Sequence, residues 1–214
     1  MPQKKNSSDH ARRAIAARAA RVMAEDSVSD FASAKRKAAR QLGFADNGAL
    51  PSNDEVEAEL RTYQALYQNG EQRERLTVLR STALDLMREF AAHRPHLGGA
   101  VWNGTAGRDT GLQLDLFTDN AKLVEMKLLG DSIVYQVEEK LHFNPAVDRK
   151  ITVLKCDWGE LPVRLALYDA DDLRGALIAD ASGTAPRGDL TALEARIAQA
   201  QSAAQVESFL AAIR

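Results

Sequence analysis

Residues 99–119 read GAVWNGTAGRDTGLQLDLFTD, and the interpretation of the whole chain depends on this stretch. From Leu112 to Phe117, leucines alternate with other residues, two of them polar, which predicts a β-strand with one polar side. The run of small residues from Gly104 to Gly107 is typical of a tight turn. Ahead of this turn, Gly99 to Trp102 is short and apolar, and we predict a strand there as well. The stretch therefore predicts two strands joined through a glycine-rich turn.

Helical periodicity dominates the sequence before this stretch. Four helices are predicted: residues 10–25, a second that starts after Ser29 or Asp30 and runs to Leu42, a third capped by Asn53, and a fourth over about 71–92. A loop over 45–52, which contains Asn47-Gly48, separates the second helix from the third. Pro95 prevents the fourth helix from continuing, because proline lacks the backbone N–H that a helix interior needs.

Mixed helix and strand patterns follow the stretch. They predict a helix over 119–130, strands over Ile133–Phe143, Ile151–Cys156 and Leu161–Tyr168, a short helix capped by Asp171, a linker over Ser182–Gly188 and a last helix over Leu190–Ile213. A run of helices followed by such a sheet is typical of the α+β class. We predict three parts: a helical N-terminal module (1–95), a mixed-sheet α+β domain (96–181), and a linker with the C-terminal helix (182–214).

The composition excludes several classes of protein. The chain has 214 residues, of which 45% are hydrophobic and 27% are charged, values that are ordinary for a folded globular protein. No segment approaches the roughly 20 apolar residues that span a bilayer, and the polar first residues do not form a secretory signal. Cys156 is the only cysteine, which excludes an internal disulfide and a cysteine-based zinc site. We therefore expect a cytoplasmic protein without a membrane partner.

The charge is unevenly distributed along the chain. Residues 1–45 carry ten basic and four acidic side chains, although the net charge of the whole protein is −2. Such a basic region is a candidate nucleic-acid contact, because lysine and arginine neutralise phosphates. The candidate residues are Arg12, Arg13, Lys35, Arg36, Lys37 and Arg40. The alternatives are an ordinary solvated helix face, or a basic arm that folds onto the acidic remainder of the chain.

The Gly104-Thr105 turn and the strand from Leu112 to Phe117 resemble the opening of the nucleotidyltransferase (DNA-polymerase-β-like) fold. In that superfamily, a strand ends in a Gly-Ser or Gly-Thr turn that cradles nucleotide phosphates. The next strand carries two carboxylates, one residue apart, that hold divalent metals. The resemblance covers roughly residues 98–170, and the later predicted helix and strands suit the superfamily's order. It implies a nucleotide contact at Gly104 and Thr105, with Trp102 and Gln113 beside them.

The resemblance fails at the metal-binding positions. The two carboxylates of the superfamily fall on Gly111 and Gln113, which supply no negative charge for magnesium. Asp115 lies two residues beyond Gln113 on the same strand face, so it is the remaining candidate for catalysis and for a metal. Asp119 is its candidate catalytic partner, and Asp169 is the nearest counterpart of a third carboxylate. The simpler interpretation makes Asp115 a solvated strand residue and Asp119 a helix cap.

We therefore expect a non-catalytic, nucleotidyltransferase-like binding protein, a pseudoenzyme, whose partner is a nucleotide, a nucleic acid or another protein. No cofactor is expected. The first alternative is an active nucleotidyltransferase that uses Asp115 and requires magnesium. The second alternative is a helical DNA-binding regulator that acts through residues 10–42. The apolar stripe of the C-terminal helix serves either a homodimer or packing on the protein's own sheet.

Overall fold

The computed structural model describes residues 3–25, 30–44, 50–67, 69–179 and 185–212. Helices precede and follow one mixed sheet, which confirms the predicted α+β class. Contacts group the chain into two compact units. The first unit comprises residues 1–75 and 104–110, and the second comprises residues 76–103 and 111–214. This grouping does not follow the predicted ranges 1–95, 96–181 and 182–214, which stay a prediction about domains.

Four helices occupy the N-terminal part of the chain. They are α1 (Gln3–Glu25), α2 (Phe31–Gln41), α3 (Asn53–Tyr67) and α4 (Asn69–Glu89). The side chain of Asp30 caps α2 by accepting the backbone N–H groups of Ala32 and Ser33. The predicted cap of α3 was wrong, because Asn53 is already helical. Ser52 caps α3 instead: its Oγ accepts the N–H of Glu55 at 3.1 Å, and the Glu55 carboxylate accepts the N–H of Ser52 at 2.6 Å.

Small side chains form the core of the first unit. The buried cluster contains Ile15, Ala16, Ala19, Val22, Ala34, Ala38, Ala39 and Val56. Five of these eight residues are alanines, so the backbones of the helices that carry them can approach closely. The alanine-rich sequence of α1 and α2 therefore supports both helix formation and the packing of those helices.

The second unit is built around a six-stranded sheet. Its strands are β1 (Pro95–Gly98), β2 (Leu112–Phe117), β3 (Tyr135–Leu141), β4 (Lys150–Trp158), β5 (Leu161–Tyr168) and β6 (Arg187–Gly188). They lie in the order β3-β4-β5-β2-β1-β6. The central strands β2 and β5 are parallel, and the other neighbouring pairs are antiparallel.

The two faces of the sheet differ in polarity. Leu112, Leu114 and Leu116 alternate along one side of β2 and are all buried. The other side of β2 carries Gln113 and Asp115, followed by Phe117, which is buried in an apolar cluster with Val153, Ala166 and Tyr168. We call this second side, with the side chains that share it on the neighbouring strands, the polar face. The alternation predicted for Leu112 to Phe117 is therefore confirmed.

The strand predicted over Gly99 to Trp102 is wrong. The strand lies just before it, as β1, and Gly99–Asn103 forms a short helix, α5. Gly99 turns the chain with a φ of +64°, a conformation that glycine adopts without strain. A Cβ at Gly99 would also lie 3.2 Å from Oε1 of Gln113. Pro95 is compatible with β1 because it is the first residue of that strand.

The remaining elements were predicted in kind, with ends that differ by up to three residues, and two assignments were wrong. Helix α6 (Ala121–Gly130) follows β2, and Gly159 turns the β4–β5 hairpin with a φ of +63°. The short helix α7 (Leu173–Ala176) is preceded by a 3-10 turn whose cap is Asp169, not Asp171. The predicted linker over 182–188 contains β6, a two-residue strand with no periodicity to reveal it. Helix α8 (Leu190–Ala212) is the last element that the structure describes.

The apolar stripe of α8 is only partly buried. Leu193, near its start, is buried, whereas Val206 and Phe209 near its end are exposed. Four features of the sequence interpretation, Ser29, Asn47-Gly48, residues 182–184 of the linker and Ile213, lie outside the described residues. In the part of the chain that the structure describes, no helix combines the length and the hydropathy that crossing a membrane requires.

Candidate functional site

One row of side chains crosses all six strands on the polar face. From β6 to β3 it contains Arg187, Gly98, Gln113, Arg164, Lys155 and Gln136. Side chains directly opposite on neighbouring strands lie about 4.5–5.5 Å apart at Cβ. Three cationic side chains and two amides therefore share one line that contains no carboxylate. We call these six residues the basic row.

A second row lies beside it, two residues further along β2. From β1 to β3 it contains His96, Asp115, Ala166, Val153 and Glu138. Asp115 and Glu138 thus place two carboxylates next to the cations of the basic row. The two rows together form a band of opposite charges on the polar face.

Asp115 is buried, with 1% of its surface exposed. Its Oδ2 lies 2.7 Å from Nη1 of Arg187, whose side chain is 11% exposed. Its Oδ1 accepts no hydrogen bond from any described residue. Burial raises the pKa of Asp115, and the positive charges of Arg187 and then Lys140 act against that rise. Asp115 is therefore not the solvated residue of the simpler interpretation.

Further titratable side chains surround this ion pair. Burial lowers the pKa of Lys140 and the pKa of His96, and it raises the pKa of Tyr168 to about 12. The Arg187 guanidinium lies 4.9 Å from the ring centre of Phe143 and 5.9 Å from that of Tyr168. These aromatic faces favour a cation. The pair of Asp115 and Arg187 is thus held in an aromatic, water-poor setting.

Glu138 links two cations of the basic row. It forms an ion pair with Lys155, and its Oε2 accepts a hydrogen bond from Nη2 of Arg164 at 3.1 Å. The Arg164 side chain is half exposed, so a guanidinium that Glu138 has already oriented still faces solvent. A fixed guanidinium of this kind is suited to binding a phosphate or a carboxylate.

The structure gives a physical reason for the missing carboxylate at Gly111. A Cβ at this position would lie 2.3 Å from the carbonyl oxygen of Pro162, which is shorter than any real contact. An aspartate at residue 111 would therefore require β5 to move away from β2. At the second position, Gln113 faces Arg164 across the β2–β5 pair. The surroundings of both positions thus suit the residues present.

The three carboxylates of the catalytic alternative have different surroundings. Asp119 is exposed just after β2, with Oδ2 4.0 Å from Nη2 of Arg94. Asp169 caps the 3-10 turn after β5 and pairs with Arg149. Among the described residues, no group of three or more histidine, cysteine, aspartate or glutamate side chains is arranged to hold a metal ion. Asp115 is thus the one carboxylate of the three with a cationic side chain packed against it in the interior.

Gly104 and Thr105 belong to the first unit, whereas Gln113 and Asp115 belong to the second. The carbonyl oxygen of Thr105 accepts a hydrogen bond from Nε2 of Gln64 at 3.2 Å. The carbonyl oxygen of Gly104 accepts one from Nε2 of Gln72 at 3.5 Å. The turn also follows helix α5 rather than a strand, and the glycines that do end a strand are Gly98 and Gly99. A phosphate contact at Gly104 and Thr105 stays a prediction.

Trp102 is a packing residue. It is buried, and its indole N–H donates to the carbonyl oxygen of Ala185 at 2.7 Å. The Arg196 guanidinium lies 3.7 Å from its ring centre. Its ring also lies so close to Gly188 that a Cβ there would come within 2.1 Å. Trp102 therefore fixes β6, and with it Arg187 of the basic row.

The six candidate nucleic-acid residues of α1 and α2 divide into three groups. Two of them hold the helices together: Arg12 pairs with Glu55 at 3.0 Å, and Nζ of Lys35 donates to Pro51 and Asn53. Arg13, Arg36 and Arg40 are exposed, whereas Lys37 is partly buried and has an interaction of its own. The exposed three are the ones whose charge faces solvent, and their role in binding nucleic acid stays a prediction.

Sequence reasoning identified Asp115 and Gln113 but missed the cations around them. Arg187 lies in a segment that was interpreted as a linker, and its register with Gly98 appears only in the folded sheet. Lys155 and Arg164 stand on strands that were predicted correctly, so their alternation was the available signal. Comparisons of the chain with protein-family models, with curated proteins and with solved structures find no match.

Proposed function

We propose that this protein is a non-catalytic, nucleotidyltransferase-like binding protein that holds the phosphate groups of a nucleotide on the basic row. The observation that carries this proposal is the composition of that row. Arg164 and Lys155, whose side chains are at least partly exposed, lie in register with Gln113 and Gln136, and no carboxylate interrupts them. A nucleotide polyphosphate carries the complementary negative charge.

The geometry favours phosphate over a neutral ligand. Arg164 presents an oriented, half-exposed guanidinium, and arginine can bind phosphate through two parallel hydrogen bonds. Gln113, its neighbour on β2, is partly exposed and carries an amide that can donate to a further phosphate oxygen. The polar face thus offers several donors along one line.

The same residues argue against nucleotidyl transfer. Transfer through two metal ions requires carboxylates that bridge them. Here Gly111 has no room for a side chain, Gln113 is neutral, and Asp115 is already neutralised by Arg187. Phosphate recognition by cations alone needs no metal ion, so the proposal predicts binding in its absence.

The test is calorimetric titration of the full chain with ATP, GTP, CTP and UTP, first in EDTA and then in Mg²⁺. We expect at least one nucleotide to bind in EDTA. The substitution Arg164→Ala should weaken that binding by about 10–100-fold, which is the usual value of hydrogen bonds to a charged group. Arg61→Ala, which removes a similarly exposed arginine from α3, is the matched control and should leave affinity unchanged.

Three results would contradict the proposal. One is the absence of binding to all four nucleotides in both buffers. The other is Mg²⁺-dependent incorporation of labelled nucleotide that Asp115→Ala abolishes, because this would establish the catalytic alternative. Nucleotide binding that Arg164→Ala leaves intact would move the site away from the basic row and would also count against the proposal.

A further inference from the structure

Helix α2 is strongly basic and carries no carboxylate. Its sequence, FASAKRKAARQ, contains four lysines and arginines among 11 residues, and neither aspartate nor glutamate. By contrast, the sequence of α3, NDEVEAELRTYQALY, contains four carboxylates and one arginine. The first unit therefore has one helix whose charge suits an anionic partner and another whose charge would repel it.

The exposed side of α2 holds part of this charge in one line. Ser33, Arg36 and Arg40 are all exposed to solvent. Residues three and four apart lie on the same face of a helix, so these three residues form one stripe, which we call the α2 stripe. Ala34 and Ala38 lie on the opposite side of the helix and are buried in the alanine core. The packing of the first unit thus holds α2 with its stripe facing outward.

The two guanidinium groups of the α2 stripe are not neutralised by the protein. Among the residues that the structure describes, no carboxylate forms an ion pair with Arg36 or Arg40. The nearest carboxylate in the sequence is Asp30, which accepts the backbone N–H groups of Ala32 and Ser33 and is thereby held at the start of the helix. Arg36 and Arg40 therefore differ from Arg12 and Lys35, whose contacts with α3 and with the residues before it are structural.

We propose that the first unit binds duplex DNA by placing the α2 stripe in the major groove, where Arg36 and Arg40 contact backbone phosphates. The major groove of B-DNA is about 12 Å wide and admits an α-helix. Ala32 and Ser33 are small, so the first turn of α2 can come close to the base edges. The inference is independent of the proposed function, which concerns the basic row of the second unit.

The residues of α2 favour duplex DNA over other polyanions. A helix that binds a membrane surface buries large apolar side chains in the lipid, whereas the apolar side of α2 is alanine and is already buried in the protein. Single strands are held by stacking of their bases on aromatic side chains, and the α2 stripe has none. The major groove of duplex RNA is too deep and narrow for side chains to read. Duplex DNA therefore matches both the charge and the shape of this surface.

Fluorescence anisotropy of the full chain with a labelled DNA duplex of about 20 base pairs tests the contact. We expect binding that weakens between about 50 and 200 mM salt, because each phosphate contact contributes about −0.9 to the slope of log K against log salt concentration. Arg36→Gln with Arg40→Gln should weaken binding at least about tenfold at 50 mM salt and make that slope less negative by about 2. Arg36→Lys with Arg40→Lys keeps both charges and should retain most of the affinity.

Two further variants show whether the effect is local. Arg61→Gln with Arg88→Gln removes the same net charge from exposed positions of α3 and α4, and this matched control should bind DNA as the wild type does. Arg164→Ala removes the half-exposed arginine of the basic row and should also leave DNA binding unchanged. The failure of this proposal and the failure of the proposed function are therefore separate results.

Three other polyanions complete the test: the same duplex as RNA, one of its DNA strands, and phosphatidylcholine vesicles that contain phosphatidylserine. We expect each to bind at least about tenfold more weakly than duplex DNA. The proposal is overturned if the chain does not bind duplex DNA at about 50 mM salt, or if one of the three binds as tightly. It is also overturned if Arg36→Gln with Arg40→Gln binds as well as the wild type, or if the matched control loses as much affinity.

Discussion

The two compact units bury different kinds of side chain. The core of the first unit is largely alanine, and its described charged groups lie at or near the surface. The second unit buries large residues, including Phe90, Phe117, Leu86 and Met87, together with the charged Asp115. The first core thus depends on close helix contacts, whereas the second tolerates an ion pair inside.

This difference concerns the energetic cost of burying charge. Removing two charges from water costs more than their mutual attraction returns unless the geometry is very good. In the second unit, Oδ1 of Asp115 and Nε of Arg187 have no hydrogen-bond partner among the described residues. Replacing such a pair by apolar residues of similar volume is often neutral or stabilising. The stability of the fold therefore does not by itself account for this ion pair.

The largest effect should come from breaking that ion pair. Arg187→Met leaves the Asp115 carboxylate buried without its counter-ion, and we expect the second unit to lose about 3–5 kcal/mol in its free energy of unfolding. Urea unfolding at pH 7.5, followed by far-UV circular dichroism, measures the loss. The double variant Asp115→Leu with Arg187→Met is the control, and should recover most of the lost stability because it removes both charges of the pair. A single variant as stable as the wild type would show that the pair does not matter.

A smaller effect is expected from overfilling the alanine core. Ala38 is fully buried between the helices of the first unit. Ala38→Leu adds three carbon atoms where the backbones are close, and should cost about 1–3 kcal/mol. Ala58→Leu, at an exposed position of α3, is the matched control and should change stability by less than about 0.5 kcal/mol. Equal stability of the two variants would mean that the core is not tightly packed.

The periodic parts of this fold could be predicted from sequence, and the parts that depend on distant contacts could not. The alternation in β2 and the two strands of the β4–β5 hairpin are local patterns, and the structure confirms them. The strand predicted over Gly99 to Trp102 was wrong because the turn at Gly99 ends the strand at Gly98, and the apolar run after it is helical. Strand β6 has two residues, which is too few for any period.

The candidate site could likewise be predicted only where it depends on local spacing. Asp115 was identified because it follows Gln113 by two residues on one strand, and such spacing is visible in sequence. Its counter-ion Arg187 comes from β6, at the other end of the domain sequence, and becomes a neighbour only when β6 pairs with β1. The sequence therefore predicted Asp115 as a candidate metal ligand, whereas in the fold its carboxylate pairs with Arg187.

The smallest expected effect is the pH dependence of stability that two buried histidines give to the second unit. Burial lowers the pKa of His93 and of His96, both in the second unit. The unfolded chain therefore binds more protons near its ordinary histidine pKa of about 6.5, so this stabilisation is complete above that pH and is lost as the pH falls. Asp115 acts in the opposite sense, because burial raises its pKa.

The comparison that isolates the two histidines is thus between the wild type and the double variant His93→Gln with His96→Gln. Both are unfolded in urea at several pH values from 7.5 to 5. We expect the difference in stability between them to shrink as the pH falls. A difference that stays constant would mean that both histidines titrate alike in the folded and unfolded chain.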